Sequence, residues 1–185
     1  MNGEHLVFDL ETNGLYNDAT RVHCLSIYSL EDDTVMSYND EKYGDGSFDI
    51  KTEAPMASQY VHTGIQRLEC ADTVIGHNII GFDIPVLKKI YSWFKGFNNV
   101  VDTLLLSRLY HQNILDIDRK HQWKHMPLQL YGRHSLESYG YRLGEYKGEF
   151  GKTSDWKEWS PEMQTYCEQD TKVTAQLWKH FLPYL

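Results

Sequence analysis

The sequence predicts one α/β domain over residues 1–185, with a mixed five-stranded sheet flanked by helices. Three segments with strand-like alternation follow one another near the N-terminus, which indicates an antiparallel meander. Further along, short apolar segments alternate with segments of helical periodicity, which indicates strand–helix crossovers and parallel strands. A length of 185 residues and a hydrophobic content of 41% fit one domain with a single sizeable core.

The N-terminal part of the chain supplies the predicted meander. Its three strands are predicted over residues 6–8, 22–30 and 34–38, and the first of them leads directly into an acidic residue. The pair Asp32 and Asp33 between the last two strands is a turn signal. A hairpin is therefore predicted for the second and third strands.

The middle of the chain alternates between helices and strands. A loop is predicted first, at 43–55. It is followed by a helix at 57–71, a strand at 73–76, a helix at 82–94, a strand at 100–101 and a helix at 103–110. Asp83 and Pro85 open the second of these helices, because acids and proline are both favoured in a first turn. The right-handed crossover rule makes the later strands parallel to the first.

The chain ends in a long predicted helix. Residues 160–162, which are serine, proline and glutamate, form a helix-start signature of a cap, a first-turn proline and an early acid. This helix is predicted to run to about residue 182. Residues 112–159 contain no clean strand, and a short helix over 135–141, capped by the histidine or the serine at its start, is predicted within them.

Composition and charge restrict the classes of function. The formal net charge of −8 argues against a general nucleic-acid binder, because such proteins carry a basic surface that displaces counterions from phosphates. A nuclease can still be acidic when its carboxylates lie in a cleft and hold cations. Three cysteines without a metal-binding spacing indicate free thiols in a reducing compartment. With no apolar run of membrane-spanning length and no signal-peptide pattern, a cytosolic protein is expected.

Two carboxylates follow the first predicted strand. Asp9 and Glu11 are two positions apart, so their side chains point to the same face of the strand. Carboxylates held this close repel one another unless a cation lies between them, and Mg²⁺ and Mn²⁺ prefer oxygen ligands. The Asp-x-Glu pattern also arises by chance in a chain of this length, so a solvated strand end remains the alternative.

Two further acids lie at positions that fit the same site. Asp83 follows Asn78 and Phe82 at a strand-to-helix crossing, where open α/β sheets bind ligands. Tyr166 and Asp170 are four positions apart on the final helix and share one face. Each has a structural alternative: Asp83 as a first-turn acid, Asn78 as a turn residue and Asp170 as a solvent-facing side chain.

The order of the three motifs resembles the DEDD (DnaQ-like) superfamily of 3′→5′ exonucleases, in the subgroup whose third motif carries a tyrosine. The resemblance covers nearly the whole chain and fills every motif position. Two longer stretches, DTLLLSRL at 102–109 and HSLESYGYRLGEYKGE at 134–149, resemble the N-terminal proofreading domain of family A DNA polymerases from short-tailed phages. In those polymerases a polymerase region follows, so the chain is expected to be an excised domain or a freestanding exonuclease.

The resemblance implies a ribonuclease H-like fold and a two-metal site for phosphodiester hydrolysis. The implied catalytic residues are Asp9, Glu11, Asp83, Tyr166 and Asp170. The four acids among them would hold two divalent ions, Mg²⁺ or Mn²⁺, with Asp9 bridging the pair, and the tyrosine would orient the attacking water. The implied substrate-binding residues are Thr12, Gly14, Leu15, Asn78 and Phe82.

The expected activity is removal of nucleoside 5′-monophosphates from a DNA 3′ end, single-stranded or frayed. The expected partners are that DNA end and a DNA polymerase in cis or in trans, with no membrane, in the cytoplasm (the host's, if the protein is phage-encoded). An RNA 3′→5′ exonuclease of the same superfamily and a non-catalytic nucleic-acid-binding module remain alternatives. Scattered histidines match no standard zinc spacing. The basic and aromatic residues at 119–131 are interpreted as a solvated loop, with single-strand binding as the alternative.

Overall fold

The computed structural model describes residues 3–40, 60–145 and 155–185. The loop predicted at 43–55 and the first residues of the helix predicted at 57–71 lie outside these ranges. Within the described residues, no helix combines the length and apolar character needed to cross a membrane.

Five strands form one mixed sheet, as the sequence predicts. They are β1 (His5–Thr12), β2 (Val22–Ser29), β3 (Thr34–Asn39), β4 (Thr73–Gly76) and β5 (Asn99–Asp102). The sheet order is β3-β2-β1-β4-β5, with the first three strands antiparallel and both β4 and β5 parallel to their neighbours. The predicted meander followed by parallel crossovers is therefore confirmed.

Six α-helices accompany the sheet in the described ranges. They are α1 (Val61–Cys70), α2 (Asp83–Ile90), α3 (Thr103–Tyr110), α4 (Ile114–His121), α5 (Leu136–Leu143) and α6 (Pro161–Phe181). Ser135 caps α5, because its side-chain oxygen accepts a hydrogen bond from the Ser138 backbone N–H. Ser160 caps α6 in the same way, which confirms the predicted start of the last helix.

The two faces of the sheet pack against different helices. Leu6, Phe8 and Leu10 point from β1 into a cluster that contains buried residues of α1 and α2. Val7 points to the opposite face and packs with Ala175 of α6. Because side chains alternate along a strand, Asp9 and Glu11 share the α6 face with Val7. This alternation is what aims the two carboxylates at the last helix.

The structure differs from the prediction at two helices. Helix α2 ends at Ile90 and not at Phe94, because Tyr91 has an extended backbone and Phe94 turns into the core, where its ring lies 4.9 Å from that of Phe97. Helix α4 lies within the segment where only one short helix is predicted. A third cluster joins α4, α5 and α6 and contains Ile114 and Phe181.

Candidate active site

The candidate site lies where β1 runs past the end of its parallel neighbour. Val7 pairs with Ile75 in the last β1–β4 pair, and β4 ends one residue later at Gly76. Asp9 and Glu11 therefore extend beyond β4, beside the crossover that leads into α2. Crevices outside the carboxyl ends of strands are the usual ligand sites of such sheets.

Three carboxylates meet at this edge. One oxygen each from Asp9, Glu11 and Asp170 lies within 4.8 Å of the other two. Asp170 is buried, and the two strand residues are partly buried. Acids from the first strand and the last helix are thus brought together, as the ordered motifs predict.

A hydrogen bond between α6 and β1 contributes to this arrangement. The thiol of Cys167 donates to the backbone carbonyl oxygen of Asp9, at 3.3 Å. Burial raises the pKa of Cys167 well above its usual value, and the neighbouring Cys24 raises it further. The thiol therefore stays protonated and can donate this hydrogen bond. The contact joins the helix that carries Tyr166 and Asp170 to the strand that carries the other two acids.

Asp83, at the start of α2, is a buried acid of the site with a raised pKa. Only 5% of the residue is exposed. Burial raises its pKa to about 7, backbone hydrogen bonds from its own residue and from Leu10 oppose the rise, and the charge of Asp102 adds to it. A strongly perturbed carboxyl in a cleft marks a candidate functional group.

The Asp102 carboxylate shapes the turn that leads to Asp83. Its two oxygens accept hydrogen bonds from the backbone N–H groups of Asn78, at 2.9 Å, and Ile80, at 3.1 Å. Asn78 has a positive φ of 64°, which asparagine tolerates better than most residues. A Cβ at Gly81 would lie 2.6 Å from the Asn78 side-chain oxygen, so glycine leaves room for that amide. The turn is built to present Asn78 at the site.

One cavity of about 230 Å³ connects these groups. Seven of the predicted site residues line it, namely Asp9, Glu11, Asn78, Phe82, Asp83, Tyr166 and Asp170. His77 and Trp156 also line it, and neither is predicted from the sequence. The Trp156 ring meets the Tyr166 ring edge-on, with centroids 6.1 Å apart. His77 lies directly before Asn78, so its position at the end of β4 was the available signal.

Three predicted substrate-binding residues do not line this cavity. Thr12 is buried, and its hydroxyl donates to the Gly14 carbonyl oxygen at 2.7 Å, which closes the turn after β1. Leu15 is 77% exposed on that turn. Their binding of nucleotide stays a prediction, and the structure gives Thr12 a role in local geometry.

The donor atoms fit hard divalent cations. The described residues contain one group of three or more potential metal ligands, and all of its donors are carboxylate oxygens. Oxygen donors suit Mg²⁺ and Mn²⁺, whereas zinc and copper sites use imidazole or thiolate. Three carboxylates this close repel one another, and a cation between them removes that repulsion.

The mixed sheet and the cluster of acids beyond β1 fit a nuclease of the RNase H-like class. The family model described as the RNase_H superfamily matches residues 6–182, and the chain belongs to that superfamily. The ribonuclease H-like fold expected from the motifs is thereby confirmed.

The chain is similar in sequence to two phage polymerases. In alignments that span 206 positions, it is 29% identical to the DNA-directed DNA polymerases of Enterobacteria phage T3 and Escherichia phage T7. Each alignment covers 96% of the chain and 27% of the polymerase, so the chain spans about a quarter of the length of these relatives. The predicted resemblance to phage DNA polymerases is confirmed.

Solved structures show the same fold at lower identity. Brucella melitensis NrnC bound to pGG is 20% identical with a TM-score of 0.61, over 96% of this chain and 71% of that one. The EXO domain of Aedes aegypti Nibbler is 12% identical with a TM-score of 0.52, over 98% of this chain and 82% of that one. These identities support the fold alone.

Proposed function

We propose that the chain is a metal-dependent 3′→5′ exonuclease that hydrolyses DNA from its 3′ end and releases nucleoside 5′-monophosphates. One observation carries the proposal: Asp9, Glu11 and Asp170 bring carboxylate oxygens within 4.8 Å of one another. Asp83 and Tyr166 line the same cavity. A non-catalytic binding module would not need to keep all of these groups together.

The proposed cofactors are two divalent ions, Mg²⁺ or Mn²⁺. Asp9, Glu11 and Asp170 would hold one of them, Asp9 would be shared between both, and Asp83 would complete the second site. Bound at these acids, divalent ions lower the pKa of a coordinated water and stabilise negative charge on phosphate oxygens. The buried, raised-pKa Asp83 carboxyl fits such a position, because a nearby cation favours its ionised form.

The remaining cavity residues would bind and orient the substrate. Tyr166 would hold the attacking water through its hydroxyl, because a phenol with a reference pKa near 10 is a poor base at neutral pH. Asn78 and Phe82 would contact the terminal nucleotide, the first with its amide and the second with its ring face. Leu15, exposed on the turn after β1, would contact the terminal base without selecting its identity.

The polymerase relatives favour DNA as the substrate and a polymerase as the partner. The chain covers 27% of their length, and we propose that it acts beside a polymerase, in cis or in trans. RNA is the second candidate, because a structure with this fold, NrnC, is bound to pGG. The carboxylates would serve either substrate, and contacts to the 2′-hydroxyl would separate them.

Digestion of matched oligonucleotides tests the proposal. DNA and RNA strands of one sequence, labelled at the 5′ end, should be incubated with the chain in Mg²⁺, in Mn²⁺ and in EDTA. We expect DNA to shorten one nucleotide at a time in either metal and to remain intact in EDTA. Release of the 5′ label as a mononucleotide at the first time point would refute the polarity, and faster loss of RNA would assign the second candidate.

Calcium should separate binding from turnover. Ca²⁺ takes six to eight oxygen ligands in loose geometry, whereas Mg²⁺ requires near-octahedral coordination. We expect Ca²⁺ to raise the melting temperature of the chain, because it relieves repulsion among the acids, but to support little hydrolysis. The measurement is a thermal melt and a digestion at equal ion concentrations. Full turnover in Ca²⁺ would contradict the proposed coordination.

A further inference from the structure

A second pocket adjoins the candidate active site. It has a volume of about 470 Å³ and shares His77 and Asn78 with the catalytic cavity. Its other lining residues come from α3 and from residues 132–136, which lead into α5, and they include Arg108 and Arg133, both exposed. A chain of nucleotides leaving the acid cluster past Asn78 would enter this pocket.

A third pocket is lined by residues that directly precede, in the sequence, part of the lining of the second pocket. Tyr131 lines the third pocket, and the next residue, Gly132, lines the second. The third pocket has a volume of about 610 Å³, and its lining also includes Arg119, Trp123 and Lys124. Aromatic rings interleaved with basic side chains are the combination that binds single strands, because rings stack on bases and cations contact phosphates.

Asp118 connects the second and third pockets. This fully buried carboxylate accepts hydrogen bonds from the Trp123 indole N–H, at 2.9 Å, and from the Gly132 backbone N–H, at 2.8 Å. The Trp123 ring also packs on His121, with centroids 3.6 Å apart. Trp123 is therefore held in one orientation relative to the segment that carries Arg133. A ring fixed before binding loses little entropy when a base stacks on it.

The charge of these two pockets is opposite to that of the whole chain. The chain has a net charge of −8, yet Arg108, Arg133, Arg119 and Lys124 line the two pockets and no carboxylate is among their described lining residues. A local basic path attracts phosphates even when the total charge is negative. Arg119 and Lys124 are exposed and line the third pocket, which is the end of this path farther from the acids.

We propose that residues Arg119, Trp123, Lys124 and Tyr131 bind the single strand upstream of the 3′ nucleotide, with its path running from the catalytic cavity through the second pocket. This inference rests on the proposed function, because it takes the acid cluster as the place where the 3′ end lies. The occupant is single-stranded nucleic acid. Trp123 and Tyr131 stack on bases, and the two cations contact phosphates several nucleotides from the end.

Binding of strands of two lengths tests this path. Single strands of two and eight nucleotides, each with a phosphorothioate at the 3′-terminal linkage to slow hydrolysis, should be titrated in Mg²⁺ and followed by fluorescence anisotropy. The test variant is Arg119→Ala/Lys124→Ala. The control is Lys88→Ala/Lys95→Ala, which removes the same charge from exposed positions on α2 and before β5.

The test variant should bind the eight-nucleotide strand about tenfold more weakly than the wild type, and the two-nucleotide strand equally well. The slope of the logarithm of its binding constant against the logarithm of salt concentration should be smaller in magnitude by about 1.4. Each single-strand phosphate contact contributes about 0.7 to this slope, and the variant loses two cations. The control should match the wild type. Equal affinities of test variant and wild type for the longer strand, or equal weakening for both lengths, would overturn the path.

A parallel digestion of an eight-nucleotide strand with ordinary linkages keeps the two proposals distinguishable. Absence of hydrolysis by the wild type, together with length-dependent binding that the test variant loses, would reject the exonuclease and support the strand path. Hydrolysis together with unchanged binding by the variant would reject the path alone.

Discussion

Replacing Asp9 by alanine should lower the rate of 3′-end hydrolysis by at least about 10³-fold, equivalent to about 4 kcal/mol of transition-state stabilisation. The reason is its position, because its carboxylate is within 4.8 Å of both Glu11 and Asp170 and would be shared between the two ions. The fold should be kept, since the substitution removes one of three mutually repelling charges. Single-turnover digestion and a thermal melt measure the two effects.

Asp72→Ala is the matched control for Asp9→Ala. Asp72 is exposed and lies just before β4, at the end of the sheet opposite the acid cluster. The Asp72→Ala variant loses the same charge as Asp9→Ala and should hydrolyse DNA at the wild-type rate. An Asp9→Ala protein that keeps a tenth or more of the wild-type rate would refute the assignment of Asp9.

Replacing Asp118 by alanine should lower the free energy of unfolding by about 3–5 kcal/mol. The Asp118 side chain is fully buried and the Arg142 side chain is 6% exposed. Arg142 donates to both carboxylate oxygens, from Nε at 2.9 Å and from Nη2 at 2.7 Å. Alanine at 118 would leave the guanidinium buried without its counter-charge, which is the main source of the loss. Urea unfolding monitored by circular dichroism gives the free energy.

The contribution of Asp118 should depend on pH in a defined direction. Burial opposes ionisation of Asp118, but the hydrogen bonds from Arg142, Gly132 and Trp123 outweigh it and lower its pKa. A lowered folded-state pKa means that the stabilisation is complete above the unfolded value of about 3.9 and is lost as the pH falls through the folded value. The difference in unfolding free energy between wild type and Asp118→Ala should therefore be larger at pH 7 than at pH 3.

A second variant separates the buried charge from the lost packing. Asp118→Ala/Arg142→Met removes both charges of the buried pair, so it should be more stable than Asp118→Ala alone. If the double variant unfolds as readily as the single one, the buried guanidinium is not the cause of the loss. If Asp118→Ala itself loses less than about 1 kcal/mol, the ion pair contributes no more than an exposed one.

The sheet could be predicted from the sequence because its strands have short, distinct patterns. Alternation in β2 and β3, and apolar segments between helical ones for β4 and β5, determined both strand number and direction. The end of α2 could not be predicted, since Phe94 continues the helical spacing and leaves the helix only to pack against Phe97. That contact depends on tertiary packing.

Helix α4 was missed for a different reason. Its only buried residues are Ile114 and Asp118, so the face that packs on the protein has one apolar residue and one acid. A hydrophobic pattern cannot identify such a face. The partner that makes the acid burial favourable, Arg142, is 24 positions away. A buried ion pair between distant residues leaves no periodic signal.

Convergence of the acids was predictable, but the supporting residues around them were not. Spacing on a strand and on a helix was enough to place Asp9 with Glu11 and Tyr166 with Asp170. In the sequence, Asp102 was noted only at the end of the strand predicted over 100–101 and as the first residue of the stretch at 102–109. Its hydrogen bonds to the turn at Asn78 depend on the side-by-side pairing of β4 and β5. The order of motifs carries the chemistry, whereas the geometry of the turn comes from tertiary contacts.

The hydrogen bond between Cys167 and Asp9 joins residues 158 positions apart. A ribosome releases the N-terminal strand first and the last helix much later. While α6 is still inside the exit tunnel, the emerged portion carries Asp9 and Glu11 but not Asp170, so its acid cluster is incomplete. The cluster of three acids can therefore assemble only after α6 has left the ribosome, and a chain that stops before α6 would carry two of the three carboxylates.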